Sequence, residues 1–391
     1  MKVWLIGIKG AVATTTIVGT FAIKRGLSSA RGIPTQDSSF SRLNLAKLEE
    51  FEFGGHDIRE LTLYDAAYQN ISENGTFDTT QLAHLKRDIE AIPVRRGIAN
   101  NCGPAISAMC TDNPAMCTDN RLTLREATDQ VSEDMRQFAR GDECVVVNLG
   151  STEPFFPPRG EYDTLEQFEA AIASNVKTIP ASAIYAYCAL NNEMPYINFT
   201  PSMGNGIPAL WHLAEQRGVP HCGKDGKTGE TLVKTALAPM FKHRHLTVDG
   251  WYGSNILGNL DGQILNHDDN KESKLKTKTS VVPKMLGYEP YLGSRIDYFP
   301  PLSDHKVAWD FISFRGFLNH RMNMQFTWQG CDSVLAAPLV IDLIRLMALA
   351  KRKGIRGLVP ELAPYFKDPL GTDRLDLFSQ YSLFNEWVTR L

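Results

Sequence analysis

Residues 2–24, KVWLIGIKGAVATTTIVGTFAIK, decide the predicted fold. The apolar start of this stretch is rich in β-formers and predicts a strand, and residues 11–24 predict a helix directly after it. A strand, a glycine turn and a helix open a dinucleotide-binding unit, in which N–H groups at the helix N-terminus bind a pyrophosphate. Gly7, Gly10 and Ala13 match the G-x-G-x-x-G pattern only in part, so an ordinary strand–helix turn is the alternative.

A second strand is predicted at residues 48–53, followed by the sequence Gly-Gly-His-Asp at residues 54–57. In a dinucleotide-binding unit an acidic residue after the second strand binds the adenosine ribose, which makes Asp57 the candidate. Its distance from Gly7 exceeds the usual spacing of about 20 residues, so the prediction requires an insertion at residues 26–41, which are rich in Ser, Gly and Pro. The alternative for Asp57 is a turn residue that caps the next segment.

Two further predicted strands end in small polar residues. Residues 143–149, ECVVVNL, lead into a Gly-Ser pair, and residues 196–199 lead into TPSMGNG. The carboxyl ends of parallel strands meet at one edge of an open sheet, where ligands bind. The sequence therefore predicts that polar side chains after both strands face one crevice, with a simple turn or helix cap as the alternative for each. These side chains belong to Asn148, Ser151, Thr200 and Ser202.

The pattern changes in the second half of the chain. Residues 295–300, 306–314 and 322–328 alternate apolar and polar residues without intervening helices, which predicts an antiparallel sheet with one covered face. The aromatic residues of these strands are suited to a subunit interface. Residues 332–354 then predict an apolar helix divided by Pro338, and its basic residues argue against a membrane span.

Composition limits the class of protein. The chain has 391 residues, of which 43% are hydrophobic and 22% charged, and this suits a folded protein of about two domains. A net charge of -3 without a long Lys/Arg block argues against a nucleic-acid partner. The apolar run at the N-terminus is too short for a signal segment or a membrane span, so we expect a cytoplasmic protein with no membrane partner. Seven cysteines, an odd number, suit reduced thiols.

Residues 250–278, GWYGSNILGNLDGQILNHDDNKESKLKTK, combine asparagines, a glycine-rich turn and a cluster of lysines with no long apolar run. Polar residues at this density cannot be buried without partners, so the stretch predicts a loop and not a core strand. Two interpretations remain: a solvated loop, or a segment that grips a small polar ligand.

Five motifs decide between these interpretations. In chain order they are NFTPSMGNG (198–206), GKTGETLVKT (226–235), GWYGSNILGNLDG (250–262), NKESKLKTK (270–278) and CDSVLAAPLVIDL (331–343). With them the chain resembles the myo-inositol-1-phosphate synthase family nearly from end to end, in its compact prokaryotic and archaeal form. The resemblance implies an α/β fold in which a Rossmann-type doubly wound parallel sheet is interrupted by an α+β catalytic and tetramerisation domain with an open, largely antiparallel sheet. Residues 1–205, completed by 333–391, would form the NAD-binding domain, and residues 206–332 the catalytic and oligomerisation domain.

The resemblance also implies a redox-neutral reaction. NAD+ oxidises C5 of D-glucose 6-phosphate, a proton leaves C6, the enolate attacks the C1 aldehyde, and NADH reduces the C5 ketone again to give 1L-myo-inositol 1-phosphate. Two intermediates carry negative charge on oxygen beside a phosphate dianion, and ammonium groups stabilise such charge directly. The implied cofactor is NAD and the implied assembly is a homotetramer. Whether a divalent metal ion or ammonium assists is left open.

Carried over by motif, three sets of site residues follow from the resemblance. The catalytic set is Lys274, Lys278, Lys306, Lys367, Asp225, Asp261 and Asp332. The cofactor-binding set is Gly7, Ile8, Gly10, Ala11, Val12, Asp57, Asn148, Gly150, Ser151, Thr200, Asp225 and Lys227. The substrate-binding set is Ser202, Gly204, Asn205, Asn255, Leu257 and Asn259. Lys274 and Lys306 are assigned to the C5 and C1 oxygens, with the other two lysines nearer the phosphate. A solvated side chain is the alternative for each lysine.

Two other functions fit the same residues: an NAD-dependent sugar-phosphate dehydrogenase, and a non-catalytic NAD-binding sensor on the same fold. Lys9 and Ala13 stand where the family has glycine, and Leu232 stands where other branches have lysine. We expect the segment that carries Lys274 and Lys278 to become ordered over bound ligands, because like charges repel without an anion.

Overall fold

The computed structural model describes residues 1–108, 122–259, 262 and 281–391. These residues form a seven-stranded parallel sheet and a four-stranded mixed sheet, with helices packed against both. The strands are β1 (Lys2–Ile6), β2 (Glu52–Asp57), β3 (Val94–Arg96), β4 (Cys144–Asn148), β5 (Tyr196–Asn198), β6 (Pro220–Gly223), β7 (Thr247–Leu257), β8 (Tyr291–Tyr298), β9 (His305–Arg315), β10 (Arg321–Cys331) and β11 (Gly357–Leu358). The helices are α1 (Ala11–Lys24), α2 (Leu63–Asn74), α3 (Thr79–His84), α4 (Lys86–Glu90), α5 (Pro104–Ala108), α6 (Leu124–Ala139), α7 (Leu165–Ala173), α8 (Ala181–Asn191), α9 (Pro208–Arg217), α10 (Gly229–His243), α11 (Asp332–Arg352) and α12 (Leu377–Arg390).

The parallel sheet has the strand order β11-β6-β5-β4-β1-β2-β3. This is the 3-2-1-4-5-6 order of dinucleotide-binding sheets, extended at one edge by β11. Side chains of β1 point alternately to two cores: Val3 and Leu5 join the core that includes α1 and α11, and Trp4 and Ile6 join the core that includes α6 and α8. A parallel sheet covered on both faces explains why the strands are so apolar. The predicted doubly wound fold is therefore confirmed.

The second strand lies later in the sequence than predicted. Residues 48–50 form a 3₁₀ helix, and β2 itself includes the Gly-Gly-His-Asp sequence that the prediction placed after the strand. A Cβ atom at Gly54 would lie 2.7 Å from the ring of Phe138 and 2.9 Å from that of Trp4. Glycine is required there by close packing inside the strand, so it does not mark the end of the strand.

The predicted break at Pro338 does not occur, and α11 is one continuous helix. Pro338 leaves the carbonyl group of Val334 without its helical donor. Because Val334 is exposed, water can satisfy that carbonyl group. The helix is long and apolar enough to span a membrane by length and composition, but 78% of its most apolar window is buried inside the protein.

The mixed sheet has the order β10-β9-β7-β8, in which β9 is antiparallel to both neighbours and β7 is parallel to β8. The prediction of a loop at residues 250–278 is wrong for its first part, which belongs to the internal strand β7. Residues Trp251, Asn255 and Leu257 of β7 face the covered side, and Tyr252 faces the open side. An asparagine on the covered face and two glycines hid this alternation. Asp261, Lys274 and Lys278 lie outside the described residues.

The mixed sheet is inserted between β6 and α11. The parallel sheet continues past residue 205, where the sequence places the end of the first domain, because β6 adds a strand at residues 220–223. After β10 the chain returns through α11 and β11, which complete the core and the edge of the parallel sheet. This arrangement brings the ends of the inserted sheet to the carboxyl edge of the parallel strands.

Candidate active site

A cleft of about 770 Å³ follows the carboxyl edge of the parallel sheet. It is lined by the loops after β1, β2, β4 and β5, and residues around β7, β9 and the start of α11 lie opposite. The crevice predicted after β4 and β5 is therefore present. The predicted site residues that line it are Gly7, Gly10, Ala11, Val12, Asp57, Asn148, Gly150, Ser151, Thr200, Ser202, Asp225, Asn259, Asp332 and Lys367.

The turn between β1 and α1 is shaped for close approach to a ligand. Gly7 has φ 76°, and a Cβ atom there would lie 2.9 Å from the Cα atom of Gly150. Gly10 is the N-cap of α1 and supplies no side-chain cap, and the first turn of the helix has no acidic residue. The backbone N–H groups of that turn therefore remain for an anion. This geometry fits the pyrophosphate of a dinucleotide, although Lys9 and Ala13 replace glycines of the motif.

Asp57 lies at the end of β2 beside this turn, and its carboxylate already has protein partners. Its Oδ2 accepts the backbone N–H of Lys9 at 2.8 Å, and its Oδ1 accepts the backbone N–H of Arg59 at 2.9 Å. The ammonium group of Lys9 donates to the carbonyl group of Arg59, and burial lowers the pKa of Lys9. The ammonium group of Lys9, which replaces glycine in the motif, is thus directed towards Arg59, and both Lys9 and Asp57 line the cleft.

A hydrogen-bond network joins the ends of β4 and β5. The amide of Asn148 donates to Oδ1 of Asn198 at 3.3 Å and to the hydroxyl of Thr200 at 3.4 Å. Its Oδ1 accepts the N–H of Gly150 at 3.1 Å, and the hydroxyl of Thr200 accepts the N–H of Ser202 at 3.3 Å. These hydrogen bonds fix the cleft wall formed by β4 and β5, which lie on one side of β1, whereas β2 with Asp57 lies on the other side.

Lys367 and Asp225 form the first lysine–carboxylate pair. The ammonium group of Lys367 is 2.9 Å from Oδ1 of Asp225, and the two residues are also joined by a backbone hydrogen bond. Asp225 has φ 61°, and its own N–H donates to the carbonyl group of Thr200. Outside this pair, Lys224 and Asp368 make a more exposed ion pair at 3.2 Å. The two chain segments form a short ladder that presents Lys367 at the cleft.

Lys306 and Asp332 form the second pair. The ammonium group of Lys306, on β9, is 3.5 Å from Oδ2 of Asp332, the first residue of α11. Oδ1 of Asp332 accepts the hydroxyl of Thr228 at 3.4 Å, and Thr228 is the N-cap of α10. Lys306 is itself buried and, unlike Asp332 and Thr228, does not line the cleft. The pair therefore lies where the mixed sheet meets the N-termini of two helices.

Several predicted residues lie away from the cleft wall. The side chain of Ile8 is fully buried in the core. Leu257 is buried in the mixed sheet, and Gly204 lies behind the wall with its N–H on the hydroxyl of Ser182. Asn205 donates to a ring nitrogen of His221 at 2.8 Å in the interior. Asn255 is fully buried on the covered face of β7, and within the described residues its amide has no partner.

Lys227 is also turned away from the cleft, where the sequence assigned it to the nicotinamide end. Its ammonium group donates to the side-chain carbonyl of Gln380 on α12, and its side chain is buried. Burial lowers the pKa of Lys227 to about 7, with Asp376 acting in the opposite direction. Its neighbours Gly226 and Thr228 do line the cleft. The prediction therefore places this segment of the chain at the cleft correctly, but not the side chain of Lys227.

Two acidic residues of the cleft were missed by the sequence analysis. Glu153 is buried after β4, and Asp304 is buried before β9. Asp304 accepts the amide of Asn259 at 2.8 Å and the N–H of Ser333 at 2.9 Å. A carboxylate soon after a buried strand was a usable signal for Glu153. No local sequence pattern indicated a role for Asp304, because its hydrogen-bond partners are distant in sequence. Within the described residues no cluster of three His, Cys, Asp or Glu side chains is suited to a metal ion.

The comparisons with known proteins agree with this geometry. Residues 1–389 match the family described as myo-inositol-1-phosphate synthase. The chain is 34% identical over 413 aligned positions to inositol-3-phosphate synthase 1 of Bacteroides thetaiotaomicron, covering 99% of this chain and 93% of that protein. It is 27% identical to the inositol-3-phosphate synthase of Dictyostelium discoideum, covering 90% of this chain and 75% of that protein.

Two solved structures show the same fold. Inositol-3-phosphate synthase from Caenorhabditis elegans superposes with a TM-score of 0.89 at 23% identity, covering 99% of this chain and 85% of that one. A myo-inositol-1-phosphate synthase-related protein from Thermotoga maritima gives a TM-score of 0.82 at 24% identity, covering 99% and 98%. The match over nearly the whole chain, together with the dinucleotide turn and the two lysine–carboxylate pairs, shows that the chain belongs to the myo-inositol-1-phosphate synthase family.

Proposed function

We propose that the protein is an inositol-3-phosphate synthase, which cyclises D-glucose 6-phosphate to 1L-myo-inositol 1-phosphate with NAD. The observation that carries the proposal is one cleft lined by a dinucleotide turn, by the pair of Lys367 and Asp225, and by Asp332. Lys306, which is buried and does not line the cleft, forms an ion pair with Asp332. A simple dehydrogenase needs only a base and a hydride acceptor. Cyclisation passes through two oxyanion intermediates, and several ammonium groups can stabilise their negative charge. Bound NAD supplies the hydride acceptor at the first step and the donor at the last.

The residues along the parallel sheet bind and orient the cofactor. The turn that contains Gly7 and the N-terminus of α1 would hold the pyrophosphate, and Asp57 would hold the adenosine ribose. Because β4 and β5 lie on the other side of β1, the polar network after them would meet the nicotinamide half. Asn148, Gly150, Ser151 and Thr200 are the residues of that half.

The lysines stabilise charge as it develops on the substrate. Lys306 and Lys367 are held by carboxylates, which fixes the direction of each ammonium group before the substrate binds. Lys274 and Lys278, with Asp261, are assigned to the same reaction by their motif, and they lie outside the described residues. Ser202 and Asn259 remain the substrate-binding candidates on the cleft wall. Burial of Asn205 and Asn255 makes them supports of the wall in this proposal.

The phosphate of the substrate is best placed near Lys367 and Ser202. Both residues line the cleft, and the motif assignment puts the phosphate beside Lys367. An ammonium group and a hydroxyl together favour a phosphate dianion. This position leaves Lys306 for the C5 and C1 oxygens, as its motif assigns it.

We also propose a homotetramer, formed in part by the open face of the mixed sheet, and a cytoplasmic location. Tyr252, Trp309 and Phe311 make a row of rings on this face, with neighbouring centroids 6.2 Å apart. Tyr252 and Trp309 are each 38% exposed, which is costly for large rings in a lone subunit. The NAD-binding part would comprise the parallel sheet, and the inserted sheet would serve catalysis and assembly.

The decisive experiment is incubation of purified protein with NAD+ and glucose 6-phosphate, followed by phosphorus NMR. We expect inositol phosphate to form with no net absorbance from reduced nicotinamide, and Lys274→Ala to abolish product while retaining NAD binding. Accumulation of NADH would instead indicate a sugar-phosphate dehydrogenase. NAD binding without any product would indicate a sensor. Activity that survives exhaustive chelation would exclude an essential, exchangeable metal ion.

A further inference from the structure

Glu153 lies on the cleft wall and has no part in the chemistry described above. Its side chain is 4% exposed. Its Oε1 accepts the N–H of Ser182 at 2.9 Å, and its Oε2 is in hydrogen-bond contact with the hydroxyl of Ser182. No ion pair within the described residues includes it. A buried carboxylate without a cation is costly, so the fold retains it for a reason other than charge pairing.

The carboxylate lies at the positive end of a helix. Ala181 and Ser182 are the first two residues of α8, and Pro180 provides no side-chain cap. The backbone N–H groups of both residues act on Glu153. Free N–H groups and the helix dipole stabilise an anion at this position. Glu153 therefore caps α8 from a different segment of the chain.

The same residue connects three segments that meet at the cleft. The hydroxyl of Ser182 accepts the N–H of Gly204 at 3.0 Å, so its own hydrogen is available for Oε2 of Glu153. The backbone N–H of Glu153 donates to the hydroxyl of Ser202 at 3.0 Å. The loop after β4, the start of α8 and the loop after β5 thus form one closed set of hydrogen bonds. Ser202 is on the cleft wall of the nicotinamide half.

We propose that Glu153 is a positioning residue for the nicotinamide half of the cleft, whose ionised carboxylate holds Ser182 and, through it, the loop of Ser202 and Gly204 in register with the loop after β4. This inference rests on the proposed function, which identifies the bound ligands as NAD and glucose 6-phosphate. The ionised form offers an acceptor oxygen to each of the two donors of Ser182. In a protonated acid or an amide, one of the two terminal atoms carries hydrogen. If that atom faces the hydroxyl of Ser182, the hydroxyl must accept this hydrogen in addition to the N–H of Gly204 and turn its own hydrogen away, which breaks the closed set of hydrogen bonds.

The electrostatic surroundings give this residue a measurable pH range. Burial raises the pKa of Glu153 to about 7, and its hydrogen bonds to Ser182 act in the opposite direction. The titratable groups that face it are Cys102, Tyr162 and Tyr196, and burial raises the pKa of each, so all three are neutral at pH 7. Lowering the pH from 8 to 6 therefore converts Glu153 itself to the neutral form.

The test compares Glu153→Gln with the matched control Glu169→Gln. Glu169 also accepts a hydroxyl from α8, that of Tyr187 at 2.8 Å, but it lies away from the cleft. We expect the first variant to lower kcat by about 10- to 100-fold, as misplacement of a reacting group does, and to lose the acid limb of the pH profile near neutrality. We expect the control to keep the wild-type kcat, KM and profile. A folded Glu153→Gln protein with wild-type kcat, KM and pH profile would overturn the proposal.

A measurement on the wild-type protein separates this proposal from the proposed function and does not depend on the variant folding. Amide hydrogen exchange of residues 200–206, corrected for the intrinsic rate, should be faster at pH 6 than at pH 8 with NAD+ present. Residues 144–148 of β4 serve as the internal reference. Equal protection at both pH values would refute the role of Glu153. A positive result without inositol phosphate production would keep the positioning role and remove the assigned reaction.

Discussion

Asp225 holds Lys367 through both its side chain and its backbone, so the direction of the ammonium group depends on this one carboxylate. Asp225→Asn keeps the size of the side chain and removes the charge. We expect kcat to fall by about 10- to 100-fold, because the lysine loses its fixed direction. Turnover is measured by phosphorus NMR. Asp368→Asn is the control, since its ion pair with Lys224 lies on the solvent side, and equal effects of the two variants would contradict the prediction.

Arg59 gives the adenosine end of the cleft a guanidinium group. It lines the cleft beside Asp57, and within the described residues its Nη2 atom is buried without a partner. A guanidinium group near the ribose accommodates a 2′-phosphate. We expect Arg59→Ala to weaken NADP+ binding by about tenfold more than NAD+ binding, measured by calorimetry at fixed salt. The exposed Arg31→Ala variant is the control. An equal loss for both cofactors would show that Arg59 does not act specifically on the 2′-phosphate.

His221 makes the folded protein sensitive to acid. Burial lowers the pKa of His221 to about 3 from an ordinary value of 6.5. The side chain stays neutral in the folded state but takes up a proton in the unfolded state once the pH falls below 6.5. The stabilisation is therefore complete above that pH and is lost on acidification, by about 2 kcal/mol at pH 5.

This dependence is measured by urea unfolding between pH 5 and 8. His221→Asn should be less stable at pH 8, because Asn205 loses its acceptor, yet lose less stability on going to pH 5. The exposed His320→Asn variant should keep the wild-type slope. A His221→Asn slope equal to that of the wild type would assign the acid sensitivity to another group, of which buried His56, whose pKa burial also lowers, is the first candidate.

At the scale of elements, Asp304 joins the start of α11, the end of β7 and α2. It accepts from Ser333, Asn259 and Cys331, and its backbone N–H donates to Asn74 at 2.9 Å. An amide at this position would turn one acceptor into a donor that faces other donors. We expect Asp304→Asn to lower the free energy of unfolding by about 1–3 kcal/mol and to reduce turnover, since Lys306 is two residues away.

Stability and turnover of this variant are compared with those of Asp297→Asn. Asp297 belongs to the same sheet, but its ion pair with Arg295 is exposed. Loss of this ion pair should therefore change the free energy of unfolding by less than about 1 kcal/mol. If Asp304→Asn were as stable and active as Asp297→Asn, the junction between the sheets would not depend on this carboxylate.

Local signals in the sequence predicted β1, α1, β4 and β5 of the parallel sheet, but they misplaced β2 and did not indicate β3, β6 or β11. Helix α1 has the predicted bounds, and it follows the strand and glycine turn from which it was predicted. Strands β4 and β5 lie within the predicted ranges. The prediction failed where tertiary contacts override local preference. Gly54 is inside a strand because the ring of Phe138 covers it. Polar β7 is a strand because its neighbours on both sides supply hydrogen bonds, and because α10 packs on one face of it.

The site residues, like the elements of the fold, were predictable only in part. Residues whose motif fixes a backbone shape, such as Gly7 and Gly10, lie on the cleft wall. A motif does not fix the direction of a side chain, so Lys227 points to α12 while its neighbours reach the cleft. Asp304 was not predictable from sequence, because its contact with Asn74 joins residues 230 positions apart.

At the scale of the whole molecule, the proposed tetramer depends on the open face of the mixed sheet. Trp309 lies near the middle of its row of rings. We expect Trp309→Arg to dissociate the proposed tetramer into smaller species in analytical ultracentrifugation, because a buried charge without a partner opposes association. Phe378 is a control on α12, where it is 65% exposed outside this face, and Phe378→Arg should sediment as the wild type. An unchanged Trp309→Arg assembly would place the interface elsewhere.

The position of α11 also constrains how the protein is synthesised. Val340, Ile344 and Met347 of α11 belong to the same core as Val3 and Leu5 of the first strand. A ribosome adds about 5–20 residues per second, so this face of the first strands waits many seconds for the helix that covers it. During that time the part of this face that α11 covers in the folded protein is exposed on the nascent chain. We therefore expect that part to be a binding site for holding chaperones, or a site of aggregation, until α11 has been translated.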